Sequence, residues 1–289
     1  MNSVIKLMLD KYNPQNNIDR ENAIKEIVQE IALSGLSKGG FFEKAAFYGG
    51  TCLRMFHKLN RFSEDLDFAL IEKDDTFKLD DFFPALKKEF ESYGIELKIE
   101  AKKIDMNHDV QSAFLKANTL LLMMSFFPKN NDSDKILFNQ KIKIKFEIDT
   151  DNPSGGTTEI RYSLLPSPYE IRIFDEATLF AGKIHAVLCR NYQKHVKGRD
   201  YYDYLFYVAK GSAINIKYLE NKLKNTGGIL GEGENLTLEK IKQLLNEKFE
   251  TVDYQSAIND VSNFIKDKEG LKLWKKELFI STTDNLKVV

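Results

Sequence analysis

Cysteine is nearly absent from this chain. The two present, Cys52 and Cys189, fall in predicted helices and form no Cys-x-x-Cys pair, which argues against a disulfide scaffold and a structural zinc site. Each reads as a small buried side chain rather than a nucleophile. Histidine is as scarce, and His57, His108, His185 and His195 show no metal-ligand spacing such as His-Glu-x-x-His. Net charge is lacking too. The 42 basic and 43 acidic residues leave −1, so the protein does not coat nucleic acid through its overall charge, and any such contact must be a local patch. Long apolar runs are missing. The most apolar stretch, Leu120 to Phe127, is far too short to span a bilayer, and the first ten residues carry charges and no apolar core like that of a signal peptide. These absences predict a cytoplasmic protein with no membrane association. No internal repeat, coiled coil or low-complexity tract stands out.

What is present is a folded-protein composition, 43% hydrophobic and 29% charged over 289 residues, enough for one large domain or two ordinary ones. The chain is organised around residues 47–70. Phe47 and Tyr48 suit a short buried strand, and Gly49-Gly50 lets the backbone turn tightly. Leu53, Phe56 and Leu59 then recur every third residue, predicting a short helix from about Thr51. A glycine turn that opens a helix presents free N–H groups and the positive dipole end, a seat for phosphate. After the turn Arg61-Phe62-Ser63, the segment Asp65 to Leu70 alternates with period two. Asp65 and Asp67 therefore share one face while Leu66 and Phe68 point to the core. Two carboxylates so spaced lie roughly 7 Å apart and repel by about 2–3 kcal/mol at an effective dielectric near 20. A divalent cation removes that cost, and a phosphate seat beside a hard-cation site is the equipment of a Mg²⁺-dependent phosphoryl or nucleotidyl transferase.

A helix from near Asp19 to Gly35 or Gly39-Gly40 is expected to cover the sheet, followed by a helix over Asp80–Tyr93 and a strand over Ile95–Ala101. Two further strands are expected within 104–130, broken by a loop at 128–134. The cleanest strand is Lys141–Asp149. Ile142, Ile144, Phe146 and Ile148 face the core, and Lys141, Lys143, Lys145, Glu147 and Asp149 share the other face. Its lysines read as a guard against edge aggregation. Pro and Gly punctuation at 152–157 and 166–168 places a domain boundary near 165–175. Beyond it, apart from a short strand at Tyr169–Phe174, the pattern is helical: Glu176–Arg190, the helix containing Arg199–Tyr207, Asn215–Lys224, Leu238–Phe249, Tyr254–Ile265 and a closing segment at Leu271–Phe279. Lys183 and Arg190 stack along one side of the first of these. Asp200, Asp203 and Tyr207 share a face of the second, which reads either as a salt-bridged helix–helix contact or as part of a site. The glycine-rich loop 227–235 is not a phosphate loop, because no strand precedes it and Glu232 and Glu234 would repel the ligand.

The phrase Gly-Gly-Thr, short helix, Arg-x-Ser-x-Asp-x-Asp-Phe (residues 49–68) resembles the first motif of the AbiEii/AbiGii toxin family, nucleotidyltransferase-fold proteins of bacterial toxin–antitoxin and phage-abortive systems. Lys-Ile-His-Ala-x-x-x-Arg at 183–190 and Arg-Asp-x-x-Asp at 199–203 are similar to its later motifs. The resemblance implies an α+β fold, with a nucleotidyltransferase-like domain over 1–168 built on a mixed β-sheet flanked by helices. A mainly helical domain over 169–289 is expected to complete an active-site cleft. It implies a toxin that transfers a nucleotidyl group from a nucleoside triphosphate, with Mg²⁺ or Mn²⁺ as cofactor, tRNA as acceptor and a cognate antitoxin as partner. Asp65, Asp67 and Glu147 are the expected metal ligands, Asp149 being the alternative third carboxylate. Gly49, Gly50, Thr51, Arg61, Ser63, Lys183 and Arg190 are the expected nucleotide-binding residues. Asp65, Asp67, Lys183 and Asp200 are the expected catalytic set. A small-molecule acceptor, or a module that binds triphosphate without turnover, are the competing functions.

Overall fold

The computed structural model describes residues 2–101, 119–128, 142–190, 196–230 and 233–289. His108, residues 129–134 of the expected loop, Lys141, Lys194, His195 and Glu232 lie outside them. The fold is α+β, as expected, and the chain divides into two compact units. The first comprises Met1–Cys52, Glu64–Asn152 and Glu159–Ile173; the second comprises Leu53–Ser63, Pro153–Thr158 and Phe174–Val289.

The first unit is built on a mixed sheet. Its strands are β1 (Ala45–Tyr48), β2 (Leu66–Leu70), β3 (Ile95–Ala101), β4 (Thr119–Pro128), β5 (Ile142–Asp149), β6 (Thr158–Ser163) and β7 (Tyr169–Phe174), in the spatial order β3-β4-β5-β2-β1-β7-β6. β2 runs antiparallel to β1 and parallel to β5, so the first motif lies at the centre of the sheet. The alternation in β5 is regular, with Ile142, Ile144, Phe146 and Ile148 buried. Phe68 stacks on Phe146 across the parallel pair at 4.6 Å between ring centroids, and Phe41 meets Phe68 edge-on at 5.0 Å. After α1 (Ser3–Tyr12), the long helix α2 (Asn17–Lys38) packs against α4 (Phe83–Ser92). Asn16 caps α2 by accepting from the Asp19 N–H, and the helix stops at Gly39, whose N–H returns to the Gly35 carbonyl. The helix expected over Asp80–Tyr93 begins instead as a 3₁₀ turn at Leu79–Phe82, with Pro84 in the first turn of α4.

In the second unit α5 (Glu176–Cys189), α6 (Gly198–Lys210), α7 (Ile216–Thr226), α8 (Leu238–Glu250), α9 (Tyr254–Val261) and α10 (Lys276–Thr282) enclose an aromatic core. Tyr201, Tyr204, Phe249 and Phe279 pack with centroids 5.3–6.3 Å apart, and Phe180 stacks on Tyr207 at 4.6 Å. α9 is shorter than its apolar stripe predicts. Ser262 Oγ bonds back to the Ile258 carbonyl, and the Phe264 carbonyl then accepts from the Phe62 N–H at 2.8 Å, drawing the chain out of helix. Among the described residues, no helix is long and apolar enough to cross a membrane.

Candidate active site

The first motif folds as its composition dictates. β1 ends at Tyr48, and Gly49 takes φ +78°, where a side chain would be strained. α3 (Gly49–Phe56) starts there. A Cβ at Gly49 would stand 2.2 Å from Asp67 Oδ2, so glycine is required twice, for its backbone and for the carboxylate packed against it. Thr51 is fully buried. Its hydroxyl donates to the Asp65 carbonyl at 2.5 Å, fixing the backbone that presents Asp65. From α2, Gln29 Nε2 donates to the Glu64 carbonyl at 2.8 Å and Lys25 pairs with the Glu64 carboxylate at 3.0 Å. The turn into β2 is thus held at Glu64 and at Asp65 itself.

The parallel register then sets Asp67 directly beside Glu147, and Ala69 beside Asp149. Of the two candidates for a third carboxylate, Glu147 is Asp67's neighbour. Asp149 instead accepts from the Asp151 N–H at 3.1 Å at the strand's end. Burial, then Glu147, then Asp65 push the Asp67 carboxyl up to about 7, although part of its surface remains exposed; Lys145 pulls the other way. Lys145 forms a close ion pair with Glu147. Among the described residues, no three His, Cys, Asp or Glu side chains are already gathered around a metal position. The donor chemistry nevertheless fits a hard divalent cation: oxygen ligands only, crowded enough that Asp67 resists ionisation, with a lysine as the cationic neighbour.

The second unit holds a cluster of three cations on two carboxylates. Arg61 grips Asp203 through both oxygens, Nε at 2.6 Å and Nη2 at 2.7 Å, and its Nη1 donates to the Phe62 carbonyl at 2.9 Å. Lys183 Nζ lies 2.8 Å from Asp203 Oδ2 and 2.8 Å from Asp200 Oδ1; Arg190 Nη1 lies 2.5 Å from Asp200 Oδ2. Burial would push the Asp203 carboxyl up, but Arg61 and Lys183 outweigh it and hold it below the usual range. Of the residues singled out from sequence, Lys183, Arg190, Asp200 and Arg61 come together here, and Asp65, Asp67, Glu147, Gly49 and Thr51 come together on the sheet. Ser63 is buried at the end of the turn that Arg61 begins. Asp203, Lys145, Lys25 and Gln29 complete these arrangements beyond the expected set. Two signals in the sequence point to Asp203: the Arg-Asp-x-x-Asp spacing and the helix face it shares with Asp200.

Residues 31–277 match the model of a family described as the nucleotidyl transferase AbiEii toxin of type IV toxin–antitoxin systems. Among solved structures, the chain is similar to MenT4, a nucleotidyltransferase toxin of Mycobacterium tuberculosis, with TM-score 0.54 and 14% identity over 96% of this chain and 87% of that one. It is also similar to JHP933 of Helicobacter pylori, with TM-score 0.51 and 18% identity over 91% and 90% of the two chains. At these identities the likeness is one of fold. No curated protein matches the sequence.

Proposed function

Because the chain belongs to the AbiEii nucleotidyl transferase toxin family, we propose that it transfers a nucleotidyl group from a nucleoside triphosphate to a hydroxyl acceptor, with Mg²⁺ or Mn²⁺ as cofactor. One observation carries this reading: Asp67, two residues after Asp65, stands beside Glu147 in register, with Gly49 closed against the Asp67 carboxylate. Asp65, Asp67 and Glu147 would hold the cation. When bound, the cation compensates charge on the triphosphate and on the departing pyrophosphate.

The chain's own groups do the rest. Gly49, Gly50 and Thr51 offer backbone N–H groups at the start of α3 to phosphate oxygens. The Thr51 hydroxyl, engaged with Asp65, serves the carboxylate rather than the nucleotide. Within the second unit, Lys183 and Arg190 supply positive charge suited to phosphate, and Asp200 orients both. Arg61 acts through Asp203 as a positioning residue. In the reaction the acceptor oxygen bonds to the α-phosphorus, the bond to the bridging oxygen breaks, and pyrophosphate leaves. The hydroxyl proton passes to the Asp65/Asp67 pair. The acceptor we propose is RNA, with tRNA the family's expectation, and a cognate antitoxin is the partner.

The test uses purified protein, Mg²⁺, cellular RNA and each triphosphate labelled in turn on the α- and the γ-phosphate. Nucleotidyl transfer puts α-label, and no γ-label, into RNA. Transfer of γ-label, or equal incorporation by Asp65→Asn and Asp67→Asn proteins, would overturn the reading.

A further inference from the structure

β6 is an edge of the seven-stranded sheet, and among the described residues no strand pairs with its outer side. Open edges normally carry protection: an inward charge, a proline within the strand, a bulge or a cover. β6, Thr-Glu-Ile-Arg-Tyr-Ser, has no proline, and its apolar residues are exposed: Ile160 at 37% and Tyr162 at 71%, followed by Leu164 at 75%. The charges of β6 are arranged in a particular way. Glu159 and Arg161 flank Ile160 with opposite signs, and Arg161 Nε and Nη2 reach Glu159 Oε1 at 3.0 and 2.8 Å within the same strand. The two side chains therefore share one face, as period two requires. Both are substantially exposed, at 47% and 34%.

This pattern is its own complement under a two-fold axis. If two copies of β6 pair antiparallel with Ile160 opposite Ile160, each Glu159 lies opposite an Arg161 of the other strand, twice over. Opposite charges in directly facing positions favour the pairing, and a parallel alignment in register would set like against like. The outer N–H and C=O groups would gain ladder bonds, and Ile160 and Tyr162 would lose solvent-exposed surface.

We propose that β6 is a dimerisation edge, pairing with β6 of a second copy of this chain about Ile160. An isologous contact of this kind closes on itself, which also keeps the open edge from templating larger aggregates. One short strand per copy buries less than the roughly 1,200 Å² of a stable interface, so the dimer is weak, with dissociation in the micromolar range.

Sedimentation equilibrium of the full chain, from about 1 to 200 µM, tests this range of association. The wild type should pass from monomer to dimer across it. Arg161→Glu sets Glu against Glu at both positions, and Glu159→Arg sets Arg against Arg; each alone should weaken association at least tenfold. An equimolar mixture of the two singly substituted proteins should dimerise again, because the chain with two arginines then faces the chain with two glutamates. Far-UV circular dichroism of each variant verifies that the fold is kept. A wild type monomeric throughout, single substitutions that leave association unchanged, or a mixture that stays monomeric would each overturn the proposal.

Discussion

Replacing Asp67 by Asn should stabilise the metal-free protein while removing its activity. The Asp67 carboxyl sits at about 7 in the folded chain against an ordinary 3.8, so the folded state holds the proton more tightly than the unfolded one. The sign follows from linkage: this group costs nothing below pH 4, and stability falls as pH rises from about 4 to about 7, then levels. The full difference corresponds to about 4 kcal/mol at pH 8. Partial exposure of the side chain and the nearby Lys145 make that a ceiling, and about 1–3 kcal/mol is expected. Asn keeps the shape and carries no charge. Thermal unfolding in chelator at pH 8 should therefore show Asp67→Asn melting several degrees above wild type, at about 2–4 °C per kcal/mol, with the difference vanishing near pH 4. Added Mg²⁺ should raise the wild-type midpoint and leave the variant's unchanged. A variant less stable than wild type at pH 8, or a difference independent of pH, would refute the electrostatic reasoning.

Gly49→Ala should lose transfer and at least about 2 kcal/mol of stability in denaturant titration, since a Cβ meets Asp67 Oδ2 at 2.2 Å and φ is +78°. Asp203→Asn leaves the buried Arg61 without its carboxylate partner and Lys183 with Asp200 alone, and should cost about 3–5 kcal/mol. Lys183→Met should cost less stability than that, because Arg61 still covers Asp203, yet reduce transfer far more per kcal/mol lost; the comparison of the two by urea titration and turnover separates the roles. His185 is half-buried, and desolvation, with Lys222 and Arg190 nearby, pushes it down to about 3. It is neutral in the fold and charges in the unfolded chain below about 6.5, so stability should drop as pH falls from 6.5 toward 3. His185→Gln should flatten that acid limb in a pH series of unfolding midpoints.

The parts of the fold that are legible in the sequence share one property. β2, β5 and β7 each bury an alternating apolar set, so period two fixes both the strand and which face its charges take. That is why the alternation alone assigns Asp67 and Glu147 to the faces opposite their strands' apolar residues. β6 escapes such a reading because it is mostly exposed on both faces and leaves no apolar alternation. Its neighbourhood of Pro153, Gly155 and Gly156 reads as loop. The Arg61–Asp203 pair joins residues 142 apart in sequence, and no local pattern reports such a partner. In the sequence Lys183 is read as one of two cations, with Arg190, along one side of its helix. Its two carboxylate contacts tie it into a buried network instead. The glycine turn suggests that Thr51 offers its hydroxyl to phosphate. The short path back to the Asp65 carbonyl takes that hydroxyl, a contact that depends on how α3 lies over the start of β2.

Dependence of transfer on a cation held by Asp65, Asp67 and Glu147 is the central claim. Pyrophosphate release with Mg²⁺, a triphosphate and RNA, compared between Glu147→Gln and Asp149→Asn, tests it most directly. The wild type should turn over and stop in chelator. Glu147→Gln should lose at least about a hundredfold, as expected for removing a group that stabilises transition-state charge, and Asp149→Asn should stay near wild type. An active Glu147→Gln protein, or turnover that persists in chelator, would contradict the claim.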